Sequence, residues 1–380
     1  MTQEFTLTQA YDAVELTQRG ITLPDARMVY VDRTVDLQRV LPGAVLYPGA
    51  RLVGPRTFVG AQAHIGTEGP ATLINSAVDA GCQIGSGFVN GAVLFRGAKL
   101  GGSTHVRPST ILEEEASVAH CVGLKQTVLM SFATLGSLIN ACDLLIGGGT
   151  SREKHTEIGS GFIHFNFTPW GERGDKATPT LIGNVHEGAF LRSERIFIGG
   201  LSGIVGPNEV GFGSITVAGQ VVRKPVGRRR IVAHAPRPLD KPLEELASFS
   251  LQPGKIQANA KYIGQLCALK AWYQHVRLHR RRQHASQDDV SVEVLEAGVA
   301  AVEDMITERL LRIAQYAQAP KLDAAIVAAV PGAAPAELVS RHGELSHIPW
   351  LHSLAPDTVQ LGIDWLAGIA QAAETKVLTS

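Results

Sequence analysis

The chain has 380 residues, 45% of them hydrophobic and 18% charged, enough for one large domain and a smaller one. Lysine plus arginine and aspartate plus glutamate both number 35, so no net charge draws the molecule toward nucleic acid or an anionic membrane. No run of 18 apolar residues occurs, and the opening MTQEFTLTQAYDAVE carries acids where a signal peptide carries a basic and then an apolar stretch, so a cytoplasmic protein with no membrane or nucleic-acid partner is expected. The four cysteines (Cys82, Cys121, Cys142, Cys267) form no CxxC pair and suggest neither a zinc site nor a disulfide framework.

Residues 1–39 read as a separate N-terminal segment. From 40 to 226 aliphatics recur every six residues: Val40, Leu46, Leu52 and Phe58, then Val59, Ile65, Val78 and Ile84. A second run is Leu94, Leu100, Val106, Leu112, Val118 and Leu124, and a third is Ile198, Ile204, Val210, Thr216 and Val222. A strand alternates with period 2 and a helix with 3.6, so this spacing fits neither. It predicts a mainly β protein, a left-handed parallel β-helix whose triangular coils each place one aliphatic per side in a stacked core, with glycines at the corners. Three six-residue sides make one rung of eighteen. Two stretches break the count, 147–157 (GGGTSREKHTE) and 165–180 (FNFTPWGERGDKATPT). Both mix charge with aromatic or histidine side chains and predict loops leaving the coil, the usual place for a ligand site on a rigid scaffold.

After 226 the chain changes to a C-terminal α-helical region, 227–380. Arg228, Arg229, Arg230 and HAPRPLDKP lead out of the coil. Leu243, Leu246 and Phe249, then Ile263, Leu266, Leu269 and Trp272, and finally Val292, Leu295, Val299, Val302, Met305, Ile306 and Leu310 keep helical spacing. Between them the basic cluster Arg277, Arg280, Arg281 and Arg282 reads as a solvated helix end in a polar hinge. The tail from 319 predicts short helices.

Residues 107–226 resemble the C-terminal acetyltransferase domain of the bacterial bifunctional enzyme that acetylates glucosamine 1-phosphate and makes UDP-N-acetylglucosamine. Carrying the likeness are Arg107-Pro108, Val122-Gly123-Leu124-Lys125, Ile158-Gly159-Ser160-Gly161 through Phe165-Asn166-Phe167, Lys176 before Ile182-Gly183, and Phe197-Ile198-Gly199, Val210-Gly211 and Val217-Ala218-Gly219. The stretches VGLKQT, LGSLIN, GGTSREKH, EIGSGFIHFNFTP and GDKATP are similar also to bacterial proteins named as related to UDP-N-acetylglucosamine pyrophosphorylase. The glycine-rich nucleotidyltransferase signature is missing from the first 40 residues, so pyrophosphorylase activity does not follow. The resemblance implies acyltransfer from acetyl-CoA or another acyl-CoA to an amino sugar phosphate or nucleotide sugar, a homotrimer with sites between subunits, and acyl-CoA contacts near Gly200 and Ala218. Hexapeptide β-helices commonly trimerise, and the apolar helices are expected to add to that contact or to cap the open C-terminal end of the coil.

Residue chemistry agrees with an anion and amide site. Arg107 and Lys125 are one rung apart and should stack on one side, where two cations hold a phosphate. Asn140 and Asn166 can bond a sugar hydroxyl or acyl carbonyl, and Lys176 can close over the ligand. Where the family places its catalytic histidine this chain has Ser131, followed by Phe132-Ala133-Thr134-Leu135-Gly136, and a serine is no general base at neutral pH. His155, beside Glu157, and His164, on the side of Asn166 by alternation, are the candidate bases, with His155 ranked first. No metal is expected, because His105, His120, His155 and His164 lack the paired spacing of the β-helical carbonic anhydrases. The alternatives are a non-catalytic nucleotide-sugar-binding or scaffold protein and another group transfer on a sugar nucleotide.

Overall fold

A computed structural model describes residues 10–166, 178–234, 251–283, 289–329, 332–339 and 345–379, with 238, 240 and 242. Short strands stack in parallel ladders on three faces, the parallel β-solenoid that the six-residue period calls for. The first face aligns Leu52 with Leu73, Leu73 with Val89, Val89 with Val106 and Val106 with Leu124. Val59, Val78, Leu94, Leu112, Leu129, Ile146, Ile182 and Val210 form the inner row of the second face. Leu46, Ile65, Ile84, Leu100, Val118, Leu135, Ile158 and Ile198 do so on the third.

These rows form one continuous buried core. A strand of two or three residues has little stability of its own. Here each gains it from ladder bonds above and below and from burying about one aliphatic side chain, roughly 1.5–3 kcal/mol apiece. Phe58 departs from the count: Val59 takes the inner position and Phe58 packs outside, against the helices. The corners are less glycine-rich than expected. Glu115, Cys121, Phe132, Leu138 and Asp143 all hold positive φ near 60°. Gly199 is needed for close stacking instead, since a Cβ there would lie 2.4 Å from the Ala218 nitrogen.

Pairing runs beyond both expected limits. Tyr30–Val31 pairs with Arg51 and Leu52 at one end, and Ile231–Val232 with Ile215 and Thr216 at the other. The break at 147–157 follows the strand Asn140–Ile146 and leads into Glu157–Ile158, whereas most of the break at 165–180 lies outside the described residues. A further excursion, which the count passed over, holds the short helix Val185–Gly188 between the strands Thr180–Ile182 and Phe197–Ile198.

The helical region consists chiefly of α1 (Pro253–Ala271), a π-helical turn over Trp272–Arg277 leading into Leu278–Gln283, α2 (Val292–Ala317) and α3 (Pro356–Thr379). Leu243, Leu246 and Phe249 lie outside the described residues. Among the described residues the helices cover the second face. Its outward residues Ala77, Val93, Ile111, Val128, Leu145 and Leu181 are buried in one cluster with Ile263, Leu266, Val302 and Leu366. The tail holds short helices, as expected, and also one longer than expected, since α3 has 24 residues and packs along α1. Among the described residues no helix is long and apolar enough to cross a membrane.

The basic cluster corrects the sequence reading. Arg277 is 4% exposed and Arg280 5%, so two of the four arginines are interior. The π-helical turn sets Tyr273 and Arg277 down onto the coil, where Arg277 pairs with Glu114 and Tyr273 donates to Glu113 at 2.6 Å. Arg280 lies 3.7 Å over the Trp350 ring. Arg282, paired with Glu296, is solvated as expected.

Candidate functional site

Four of the predicted residues meet on one outer stripe at the end of the first face. Val106 aligns with Leu124, so the residues after them, Arg107 and Lys125, stack in successive coils, and Lys125 aligns with Cys142 in the next. Arg107 reaches across, its Nη2 3.2 Å from Cys142 Sγ. Asn140 precedes Cys142 by two residues on the same strand and is exposed on the same side. Asn166 interacts with the Cys142 thiol, and its carbonyl accepts from Thr178 Oγ1 at 3.2 Å. Burial pushes the Cys142 thiol up against the pull of Arg107 and Lys125, so it is a neutral group between two cations. Lys176 lies outside the described residues.

The inner wall of this stripe comes from the helices, which sequence reasoning missed. Asp143, at the corner after Cys142, pairs with Arg309 of α2 at 3.2 Å. Tyr262 of α1 lies in the field of both, its hydroxyl buried and its ionisation pushed up by burial. Among the described residues Arg309 Nε and Nη1 are buried without hydrogen-bond partners. Tyr262 and Arg309 each sit within an apolar helical pattern, and such a pattern does not distinguish a site from a core.

The two candidate bases part company. His164 aligns with Ile204 of the inner core, so its ring points into the coil rather than to the side of Asn166, and it is 2% exposed. Its Nδ1 lies 2.5 Å from the Cys142 carbonyl and its Nε2 2.9 Å from Thr180 Oγ1. Burial holds its pKa below the ordinary value, which makes it a neutral, hydrogen-bonded interior group. His155 is half-buried on the shorter loop. Its Nδ1 donates to the Arg152 carbonyl at 2.7 Å and its Nε2 stands 3.5 Å from Glu157 Oε2, so the expected carboxylate partner is present. That loop is pinned by Arg152, which reaches Glu115 and Ser117. His155 therefore sits at the corner of the second and third faces, across the second face from Arg107 and Lys125.

Ser131 is sealed. Its N and Oγ donate to Glu113 at 2.9 and 3.1 Å, and Tyr273 and Arg277 cover the two glutamates. Gly200 and Ala218 lie on the edge between the third and first faces. Within one chain that edge is not the one carrying Arg107. Among the described residues no group of three histidine, cysteine or acidic side chains is placed to hold a metal.

Comparison with known proteins gives relatives for about half of the chain. The protein is 29% identical over 209 residues to the bifunctional protein GlmU of Desulfitobacterium hafniense, covering 55% of this chain and 40% of that protein. It is 30% identical over 207 residues to the protein of that name from Nitratidesulfovibrio vulgaris (52% and 39%), and 26% identical over 207 to that of Streptococcus equi subsp. zooepidemicus (54% and 39%). With the parallel solenoid, these relatives fit a hexapeptide-repeat acetyltransferase domain. The chain spans about two fifths of the length of these relatives. No protein-family model matches it.

Proposed function

We propose that the protein is an acyl-CoA-dependent acyltransferase that N-acetylates an amino sugar phosphate or nucleotide sugar in the cytoplasm. The observation that carries this reading is the stacking of Arg107 and Lys125 one coil apart on a stripe shared with Asn140 and Asn166. Two adjacent cations bind a phosphate by charge-assisted bonds, and the amides serve the sugar hydroxyls. Acyl-CoA supplies the activated acyl group. The amine nitrogen attacks the thioester carbonyl, the carbon–sulfur bond breaks, the thiolate leaves with the electron pair, and a base takes the amine proton.

His155 is the proposed base. Since it lies across the covered face from the cations of its own chain, the complete site joins His155 of one subunit to Arg107 and Lys125 of another in a homotrimer. Gly200 and Ala218, on a further edge, then contact the co-substrate, and Lys176 closes over the acceptor. The test is product formation by mass spectrometry from acetyl-CoA with glucosamine 1-phosphate or UDP-glucosamine. Acetylated product that depends on the amino sugar is expected, together with a trimer mass by light scattering.

The sealed position of Ser131 favours a second reading, a nucleotide-sugar-binding protein without catalysis. Absence of product with every acyl-CoA and amino sugar, with a nucleotide sugar still bound in calorimetry, would install it in place of the first.

A further inference from the structure

The stripe that carries Arg107 and Lys125 has an acid beside it. The register that sets Lys125 beside Cys142 and Thr127 beside Leu144 stacks Asp143 on Gln126, the residue after Lys125. Both turn the corner with positive φ, 48° at Gln126 and 58° at Asp143. A carboxylate one coil and one residue from a lysine is a natural partner for it. Asp143 pairs elsewhere: its Oδ1 lies 3.2 Å from Arg309 Nη2 of α2, and the two side chains are 13% and 4% exposed. Among the described residues neither Arg107 nor Lys125 forms an ion pair.

A second observation concerns what else Arg309 answers. Its Nε and Nη1 are buried with no hydrogen-bond partner among the described residues. The other titratable groups in its field are Tyr262, whose ionisation burial pushes up, and His164, whose protonation burial pushes down, so both are neutral. Asp143 is therefore the counter-charge that places it. As filling between helix and coil a buried arginine is a poor choice, since an apolar side chain of similar volume in such a place is often as stable or more so. Its two unsatisfied donors make it poorer still.

We infer that Arg309 is a positioning residue for the acceptor site: it holds the Asp143 carboxylate behind the stripe, so that Arg107 and Lys125 meet the phosphate of the ligand without a competing carboxylate. The inference rests on the reading of the stripe as a phosphate site and gives the helical layer a part in it. Without Arg309 the Asp143 carboxylate turns to the nearer cation, and an incoming phosphate has to displace it.

The experiment compares Arg309→Met with the double variant Asp143→Asn/Arg309→Met in the full chain, by calorimetry with glucosamine 1-phosphate and with inorganic phosphate as the smaller probe. Arg309→Met should weaken both by about tenfold, as expected when an opposite charge moves in beside a binding cation. The double variant has no carboxylate to misplace and should bind as the wild type does. A second readout is the pH profile of Cys142 alkylation in a Cys121→Ser background, where Cys82 and Cys267 are buried. Arg107 and Lys125 favour the Cys142 thiolate and Asp143 opposes it. The thiolate should thus form at higher pH in Arg309→Met and return to its wild-type range in the double variant. Should the methionine variant fail to fold, Arg309→Gln, which keeps a donor without the charge, is measured in its place with the same expected order. Unchanged affinity in the single variant, or a double variant as weak as the single one, overturns the inference and leaves Arg309 a packing residue. If the wild type binds neither probe, the phosphate reading of the stripe fails, and an alkylation profile that does not move in Arg309→Met then overturns the restraint on Asp143 as well.

Discussion

Replacing Arg277 with methionine removes a guanidinium that answers two adjacent buried carboxylates. Glu114 pairs with it directly, Glu113 lies 4.0 Å away, and the side chains of all three are 7% exposed or less. Breaking a buried pair from one side costs about 3–5 kcal/mol, because the partner charge stays desolvated. Tyr273 still donates to Glu113, so the deficit falls mainly on Glu114. Burial already pushes the Glu114 carboxyl up, and loss of Arg277 pushes it further. A carboxyl whose folded pKa exceeds its unfolded value holds a proton in the folded state that the unfolded chain has released. Stability therefore increases as pH falls from the folded pKa toward the unfolded one, and decreases as pH rises through the folded pKa. The Arg277→Met deficit should be several kcal/mol at pH 8 and clearly smaller at pH 5. Urea unfolding followed by tryptophan fluorescence reads the helical layer, since Trp272 and Trp350 are buried there. A deficit below about 1 kcal/mol at pH 8, or one equal at the two pH values, would refute a charged clamp between helices and coil.

Lys125→Ala should weaken glucosamine 1-phosphate by about tenfold or more in calorimetry, the usual loss of a charged hydrogen bond of about 1.5–3 kcal/mol; unchanged affinity would remove Lys125 from the site. His155→Ala should lower kcat by about 10²- to 10⁴-fold with little change in acyl-CoA affinity, and wild-type turnover would exclude it as the base. His164→Gln should cost about 1–3 kcal/mol of stability through its two lost interior bonds, leaving the affinity for the sugar phosphate intact. Ile111→Asp on the covered second face should release or unfold the helical layer, whereas Ser117→Asp on the third face should change stability by no more than about 0.5 kcal/mol.

The coil was legible because its rule is local. One aliphatic per six residues placed Leu94, Leu100, Val106, Leu112, Val118 and Leu124 on three successive faces and back again, and each is found in the inner core. The same count put Arg107 over Lys125, since the residues following two inner aliphatics one rung apart must stack outward. His164 escaped because period-2 alternation was applied from Asn166 and not from Ile204, the ladder partner that fixes the register. The interior arginines escaped for another reason. Helical spacing shows which residues share a face, but a π-helical turn at Trp272–Arg277 shifts that phase and turns Tyr273 and Arg277 toward the coil together.

The second face shows most clearly how the helices alter what this solenoid can do. Its outward row, Val93, Ile111, Val128 and Leu145, is apolar, while the third face at the same coils presents Lys99, Ser117, Thr134 and Glu157. That contrast is written in the sequence one position before each inner aliphatic, and it marks the second face for cover. Once α1 and α2 lie on it, any group at position 131 is cut off from solvent and confined against Glu113 and Glu114. On the acyl transfer proposed above, the base then comes from a corner that the helices leave open. The loop at 147–157 leaves the coil at such a corner, and the ring that it carries, His155, is held by a carbonyl at Nδ1 and faced by a carboxylate at Nε2.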